Sequence, residues 1–404
     1  MRICIIIPEF VTELQYGGGI SQRFYRIAKW EVEQGHTVHV IVNSYCNQNF
    51  EKEGIFVHRI CIKHSVFLKL LRCITFGRLN GAVYWLVFSF CALRLVKYLH
   101  ASIHFDIVHS VSYHACGLFS LLFTKIPHVL SVSSYRPVWN KAMGVRVCLD
   151  VKALEAIENL YLRLNKNIYV SSKSLEKLLV QKLGLKNIEV IHPPFYIEIK
   201  KLDDAFYREY LGEKPYLLFF GQISSHKGAH ILAQALPEVF VSLPELHAVF
   251  VGSDTSASFG FLMQEYITSK NSSYKKRLIF IDKCSHDKLY PIVQHARLVV
   301  LPSLVDNFPN TLIEAMGWGK PVIGTIGCSF EEVIKDGENG FLVFPANAEA
   351  LAKKIIEVWS RPDLGKIGEA AKRKIQDFAP DKTIKVLLDY FNRVAAKGVK
   401  KNDG

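Results

Sequence analysis

Two carboxylates, Asp306 and Glu314, lie eight residues apart on either side of a predicted helix start. In the stretch 306–324, DNFPNTLIEAMGWGKPVIG, Pro309 suits a first helical turn and Asn310 or Thr311 can cap it. Leu312, Ile313, Ala315 and Met316 continue the helix, and Gly317 or Gly319 followed by Pro321 stops it. Free N–H groups at a helix N-terminus attract anions, and carboxylates beside them accept hydrogen bonds from sugar hydroxyls. The segment offers both halves of a nucleotide-sugar site. Without that chemistry it reads as a capped helix feeding a buried strand.

A second cluster follows the apolar run 216–220: Gly221-Gln222-Ile223-Ser224-Ser225-His226-Lys227-Gly228. Lys-Gly at a helix start makes a phosphate cradle, because backbone amides and an ammonium face the same anion. Near the N-terminus, Tyr16-Gly17-Gly18-Gly19-Ile20 joins the first strand to the first helix, and its glycines admit close approach of a ligand. This is not a dinucleotide fingerprint, since the G-x-G-x-x-G spacing is absent. His109 ends the strand FDIVHS and reads as a core or cleft-lining group rather than a base. Arg136 and Lys141 lie in a stretch nearly free of acids and are candidates for an acceptor phosphate.

These residues resemble the signature of the retaining GT-B glycosyltransferases of family 4, the glycosyl transferases group 1 family. That signature is Glu, seven residues, Glu, Ala-Met and a Gly-x-Pro-Val-Ile tail. Here Asp306 stands in the first acidic place, followed by Glu314-Ala315-Met316 and Gly319-Lys320-Pro321-Val322-Ile323. Lys227-Gly228 matches the family's Lys-Gly, while Gln222 occupies the usual arginine position and Ser133 that of a histidine. His226 and Lys283 are the neighbours able to replace the missing arginine charge.

The resemblance implies two Rossmann-like domains facing a cleft, an N-terminal one for the acceptor and a C-terminal one for a nucleoside-diphosphate sugar. It implies donor binding by Gly17, Gly18, Gly19, Gln222, Lys227, Gly252, Asp282, Asn310, Thr311 and Glu314. Catalysis would rest on Asp306, Glu314 and Lys227: Glu314 on the ribose hydroxyls, Asp306 on the transferred sugar, Lys227 on the departing diphosphate. His109, Ser133, Arg136 and Lys141 would serve the acceptor. Retention would follow from front-face attack, with no cofactor; no D-x-D pair occurs, so no obligatory metal is expected.

The elements that must position these residues alternate along the chain. Apolar runs at 2–8, 38–42, 55–60, 106–109, 129–132 and 168–170, with helical spacing between them, predict a parallel sheet covered on both faces. The pattern restarts at 216–220, 247–251, 278–281, 298–301, 321–324 and 340–343, with helices at 228–241, 286–296 and 310–317. The reading is an α/β chain of two doubly wound domains: 1–195, a linker at 196–214, and 215–380. The closing helix, 381–397, is expected to pack back on the first domain.

Nine scattered cysteines without a C-x-x-C pair predict reduced thiols in a cytoplasmic protein, not a disulfide frame or zinc site. MRICIIIPEF reads as a buried strand, not a signal peptide. The net charge of +13 is uneven: residues 1–198 hold 23 Lys/Arg against 13 Asp/Glu, and within 54–149 Asp106 is the sole acid. Such a field favours an anionic partner. The charge-free run 79–93, flanked by Arg78 and Arg94, is too short to span a bilayer and reads as either a surface contact or a core helix.

Together these features predict transfer to a glycan or lipid-linked acceptor, in polysaccharide, lipopolysaccharide or capsule synthesis, peripherally on the inner face of a membrane. A nucleotide-sugar epimerase and a non-catalytic sugar-nucleotide-binding protein are the rivals. A nucleic-acid partner is disfavoured because the basic region is mostly apolar helix without a recognisable module.

Overall fold

A computed structural model describes residues 1–13, 19–63, 65–197, 202–254 and 262–399. The chain divides into two compact units, the first built from Met1–Trp139, Val145–Pro194 and the chain from Phe378 on, the second from Asn140–Gly144 and Phe195–Asp377.

The first unit opens with β1 (Arg2–Ile7), α1 (Gly19–Glu33), β2 (Thr37–Asn43), β3 (Gln48–Lys52) and β4 (Ile55–Ile60). It continues with α2 (Val66–Ile74), α3 (Asn80–Ile103), β5 (Ile107–Val111), α4 (Leu118–Phe123), β6 (His128–Val132) and α5 (Arg136–Ala142), whose last residues count with the second unit. Then come α6 (Leu149–Leu164), β7 (Ile168–Val170), α7 (Lys173–Leu183) and β8 (Ile188–Val190). The sheet order is β3-β4-β2-β1-β5-β6-β7-β8. Every pairing is parallel except β3 with β4. That antiparallel edge strand departs from the sequence reading. Glu53 and Gly54, both at positive φ (52° and 77°), form a two-residue turn that folds β3 back on β4. β1, β2 and β5 are buried along nearly their whole length, as continuous apolar runs require in a sheet covered on both faces.

All but the first residue of the run 79–93 lies within α3. Ala82, Val83, Val87, Phe88, Ala92, Leu93 and Val96 are buried, and most of them join the core beneath the sheet. By length and composition the helix could cross a membrane, yet close to half of it is buried inside the unit.

The second unit begins with α8 (Asp204–Tyr210), inside the stretch expected to be a linker. Asp203 caps it, its carboxylate accepting from Phe206 N at 3.3 Å, and Tyr207 stacks on His295 at 4.1 Å. A polar stretch with an Asp cap and an aromatic face thus folds as a helix rather than a tether. Next follow β9 (Tyr216–Phe220), α9 (Ala229–Ser242), β10 (His247–Val251), α10 (Met263–Lys270), β11 (Leu278–Ile281) and α11 (His286–His295). Then come β12 (Leu298–Val300), α12 (Asn310–Gly317), β13 (Val322–Thr325), β14 (Phe341–Val343), α13 (Ala348–Trp359) and α14 (Leu364–Ile375). Its sheet, β11-β10-β9-β12-β13-β14, is wholly parallel. The last helix, α15 (Pro380–Val399), belongs to the first unit, where Ile384, Leu387, Tyr390, Phe391 and Val394 enter its core.

Candidate active site

In the second unit the carboxyl end of β9 leads into the loop that carries Lys227, and the loop after β12 carries Asp306. Lys227 Nζ and the Asp306 carboxylate form an ion pair across 79 positions of sequence. The backbone fixes that meeting: Leu304 N donates to the His226 carbonyl at 2.8 Å, and Val305 N at 3.4 Å. Gly228 sits at φ +75, and a Cβ there would fall 1.8 Å from the Pro302 carbonyl oxygen. Only glycine lets the two loops approach this closely. Gly252 is a second such point (φ +148), where a Cβ would fall 1.7 Å from the Gly221 carbonyl oxygen. Its N–H donates to Ile281 O at 3.0 Å, so the tips of β9, β10 and β11 are held together. The Gly252 backbone is therefore a strut between strand ends. Asp282 and Lys283 follow β11 and are exposed, as is Gln222.

α12 begins at Asn310, with Pro309 as its N-cap at φ −74 and no capping side chain. Asn310 and Thr311 are thus the first helical residues rather than caps, because proline already supplies the required φ. Gly221 lies against this helix start, its Cβ direction 3.1 Å from Thr311 Cγ2. A helix N-terminus without a side-chain cap, next to a lysine, is a positive concavity. Asp306 turns one oxygen to Asn307 N at 3.1 Å and the other to Lys227.

Glu314 is one turn further on, buried among Leu312, Ile313, Ala315 and Met316. A carboxylate in such a run is costly unless engaged. His286, the first residue of α11, brings Nε2 to 3.9 Å from Glu314 Oε1 and stacks on Tyr290 at 5.0 Å. Sequence reasoning missed His286. Its only signal was Ser-His-Asp at a helix start, which by itself says nothing about which carboxylate it faces.

His226 does not replace the missing arginine charge. It is buried and bonded to Ser224 Oγ at 3.0 Å, and burial, reinforced by the Lys227 charge, pushes its pKa down to about 4. It is neutral near pH 7. On the far side of Asp306, the Cys328 thiol is held at the Ser303 carbonyl at 3.3 Å, and burial pushes it up to about 11. It is an inert packing group.

In the first unit, Gly17 and Gly18 lie outside the described residues, and Gly19 opens α1. His109 is fully buried between Phe24 and Phe391 (centroids 4.9 and 5.0 Å), with Nε2 at 2.8 Å from the Tyr169 hydroxyl. Burial holds it well below the usual histidine range. It belongs to the core and is withdrawn from the acceptor set. Arg136 is also corrected: its guanidinium pairs with Glu158 at 2.5 Å, lies 3.0 Å from His114 Nδ1 and covers the Tyr113 ring at 4.6 Å. A half-buried arginine so committed to a buried carboxylate holds its own unit together rather than a phosphate. Ser133 accepts from Arg23 Nη1 at 3.3 Å, and Lys141 is exposed on α5. Arg23, buried one turn into α1, also escaped the sequence reading.

Residues 205–374 match the family model described as glycosyl transferases group 1, and residues 17–198 match that of glycosyltransferase family 4. The chain is similar to an uncharacterized glycosyltransferase of Methanocaldococcus jannaschii, 23% identical over 376 residues and 89% of each chain. It is also similar to a phosphatidyl-myo-inositol mannosyltransferase of Propionibacterium freudenreichii, 23% identical over 90% of this chain and 87% of that one. A D-inositol 3-phosphate glycosyltransferase of Nocardioides is 24% identical over 73% of this chain and 68% of its own. Among solved structures, sucrose-phosphate synthase from Thermosynechococcus elongatus superposes with a TM-score of 0.76 at 17% identity, covering 98% of this chain and 100% of that one. HepE of Anabaena, in complex with UDP and glucose, gives 0.71 at 19% identity, covering 97% and 100%.

Proposed function

The chain belongs to the GT-B glycosyltransferases of the family 4 type, and we propose that it moves a sugar from a nucleoside diphosphate to a glycan or lipid-linked acceptor with retention of configuration. The observation that carries this reading is the Lys227–Asp306 pair beside the uncapped start of α12, with Glu314 buried one turn below. In the donor complex the diphosphate takes the place beside Lys227 and the Asn310 and Thr311 amides. The Asp306 carboxylate is then released to accept from hydroxyls of the transferred sugar, and Glu314 accepts from those of the ribose. The exposed His286 has Nε2 3.9 Å from the same carboxylate.

The glycosidic C–O bond to the phosphate breaks while the acceptor oxygen bonds the same carbon from the same face. The acceptor proton passes to the departing phosphate oxygen, and the electron pair of the broken bond stays on the diphosphate. Fixed positive groups at that oxygen act where charge grows, which can supply the larger part of the acceleration. Lys227 and the helix dipole take the role a divalent metal would otherwise fill.

A UDP-sugar donor is supported by the likeness to HepE, whose structures hold UDP and UDP-glucose. An anionic acceptor is supported by two relatives named for phosphorylated inositols and by the excess of cations in residues 1–198. The site of action is then the cytoplasmic face of a membrane, in envelope glycan synthesis. The test is turnover of UDP- and GDP-sugars with polyprenyl- and inositol-phosphate acceptors, the product's anomeric configuration read by NMR. A product with the donor's configuration supports the proposal. An inverted product overturns retention, and a sugar isomerised without acceptor points to an epimerase.

A further inference from the structure

α2 turns part of its apolar surface outward. Ser65 caps it, accepting from Leu68 N at 3.4 Å, and Leu68 is buried in the core of the first unit. Val66, Leu70 and Ile74 recur at i, i+4 and i+8, one face of a helix, and are 79%, 55% and 62% exposed. Just beyond the helix Phe76 is 88% exposed at φ +48. A bulky side chain is disfavoured in that region of backbone space, and here it is spent on directing an aromatic ring outward.

Cations surround this strip. Lys63, Lys69, Arg72 and Arg78 are exposed, and none has a carboxylate partner among the described residues. Residues 54–105 contain no Asp or Glu at all. α3, the more hydrophobic helix by composition, has its inward face committed to the core. We propose that α2 and the turn at Phe76 dock this protein on an anionic phospholipid surface, Val66, Leu70, Ile74 and Phe76 entering the acyl boundary while the flanking Lys and Arg meet lipid phosphates.

An apolar helical face at the interface, ringed by lysine and arginine, is the pattern of a protein lying on a bilayer. The electrostatic share comes from headgroup charge and weakens with salt. A second copy of the chain fits less well, since it would bring four cations against four like charges. Docking of this kind presupposes the lipid-linked acceptor proposed above only for its purpose, because the binding itself needs neither donor nor acceptor.

The test is flotation of the full chain with phosphatidylcholine vesicles, with and without phosphatidylglycerol, at low and high salt. The wild type is expected to float with the anionic vesicles and to be released progressively by salt. Leu70→Ser combined with Ile74→Ser and Phe76→Ser should lower partitioning by more than about tenfold, with UDP-sugar binding unchanged as a check on folding. If the triple variant misfolds, Phe76→Ser alone decides by the same readout. A wild type that ignores anionic vesicles overturns docking, as does a folded variant that floats equally well. So does a strip whose substitution only converts dimer to monomer in sedimentation. A wild type that floats with anionic vesicles yet transfers no sugar would instead count against the transferase reading.

Discussion

At the scale of single residues, the site depends on meetings that no local pattern displays. Lys227 and Asp306 are each at home in their own motif, yet their ion pair spans 79 positions. It exists because Gly228 admits the Pro302 carbonyl. One missing charge remains: Gln222 is exposed and His226 is neutral near pH 7. Gln222→Arg should therefore tighten UDP binding by about tenfold or more, the value of one charge-assisted hydrogen bond to phosphate, read by titration calorimetry. Unchanged affinity would mean another cation already serves that position. The carboxylates and the lysine were legible because their types and spacing are local. His109 was legible only as core or cleft-lining, since a histidine at a strand end looks the same whether its ring faces a ligand or, as here, packs between Phe24 and Phe391.

At the scale of elements, the first sheet carries histidines in four strands: His39 in β2, His58 in β4, His109 in β5 and His128 in β6. Burial pushes His39 to about 4 and His128 to about 3, and lowers His58 and His109 as well. His114, beside Arg136, is held down in the same way. Each group is neutral in the fold and protonates more readily once unfolded. Its contribution is therefore complete above about pH 6.5 and is lost as pH falls toward the folded value, at up to about 1.4 kcal/mol per group and pH unit. Glu31, raised to about 8 by complete burial, and Glu158, also raised, act with the opposite sign but are outnumbered. The melting temperature should drop steeply between about pH 6.5 and pH 4.5. A flat profile over that window would contradict the buried, neutral assignment.

Apolar strands and the helix at 310–317 could be read from sequence, because burial on both faces and a Pro/Gly-bounded run leave direct marks. β3 could not, since QNFEK lacks an apolar alternation and is paired by its turn. α8 was obscured by its polar surroundings, although Asp203 was an available cap signal.

At the scale of the whole molecule, charge and chemistry are divided between the units. Residues 1–198 hold most of the positive excess, while Lys227-Gly228 and the Asp306–Glu314 segment lie in the second unit. Donor affinity should thus be set by a few residues of the second unit and not by the long-range field of the chain. The most direct measurement is titration of wild type, Lys227→Ala, Asp306→Ala and Glu314→Ala with UDP and with the UDP-sugar the enzyme turns over. Lys227→Ala and Glu314→Ala are predicted to weaken UDP binding by about tenfold to a hundredfold. Asp306→Ala should leave UDP binding intact or tighter, by freeing Lys227, while abolishing the extra affinity conferred by the sugar. UDP binding indifferent to both Lys227→Ala and Glu314→Ala would contradict the placement of the donor site at the start of α12.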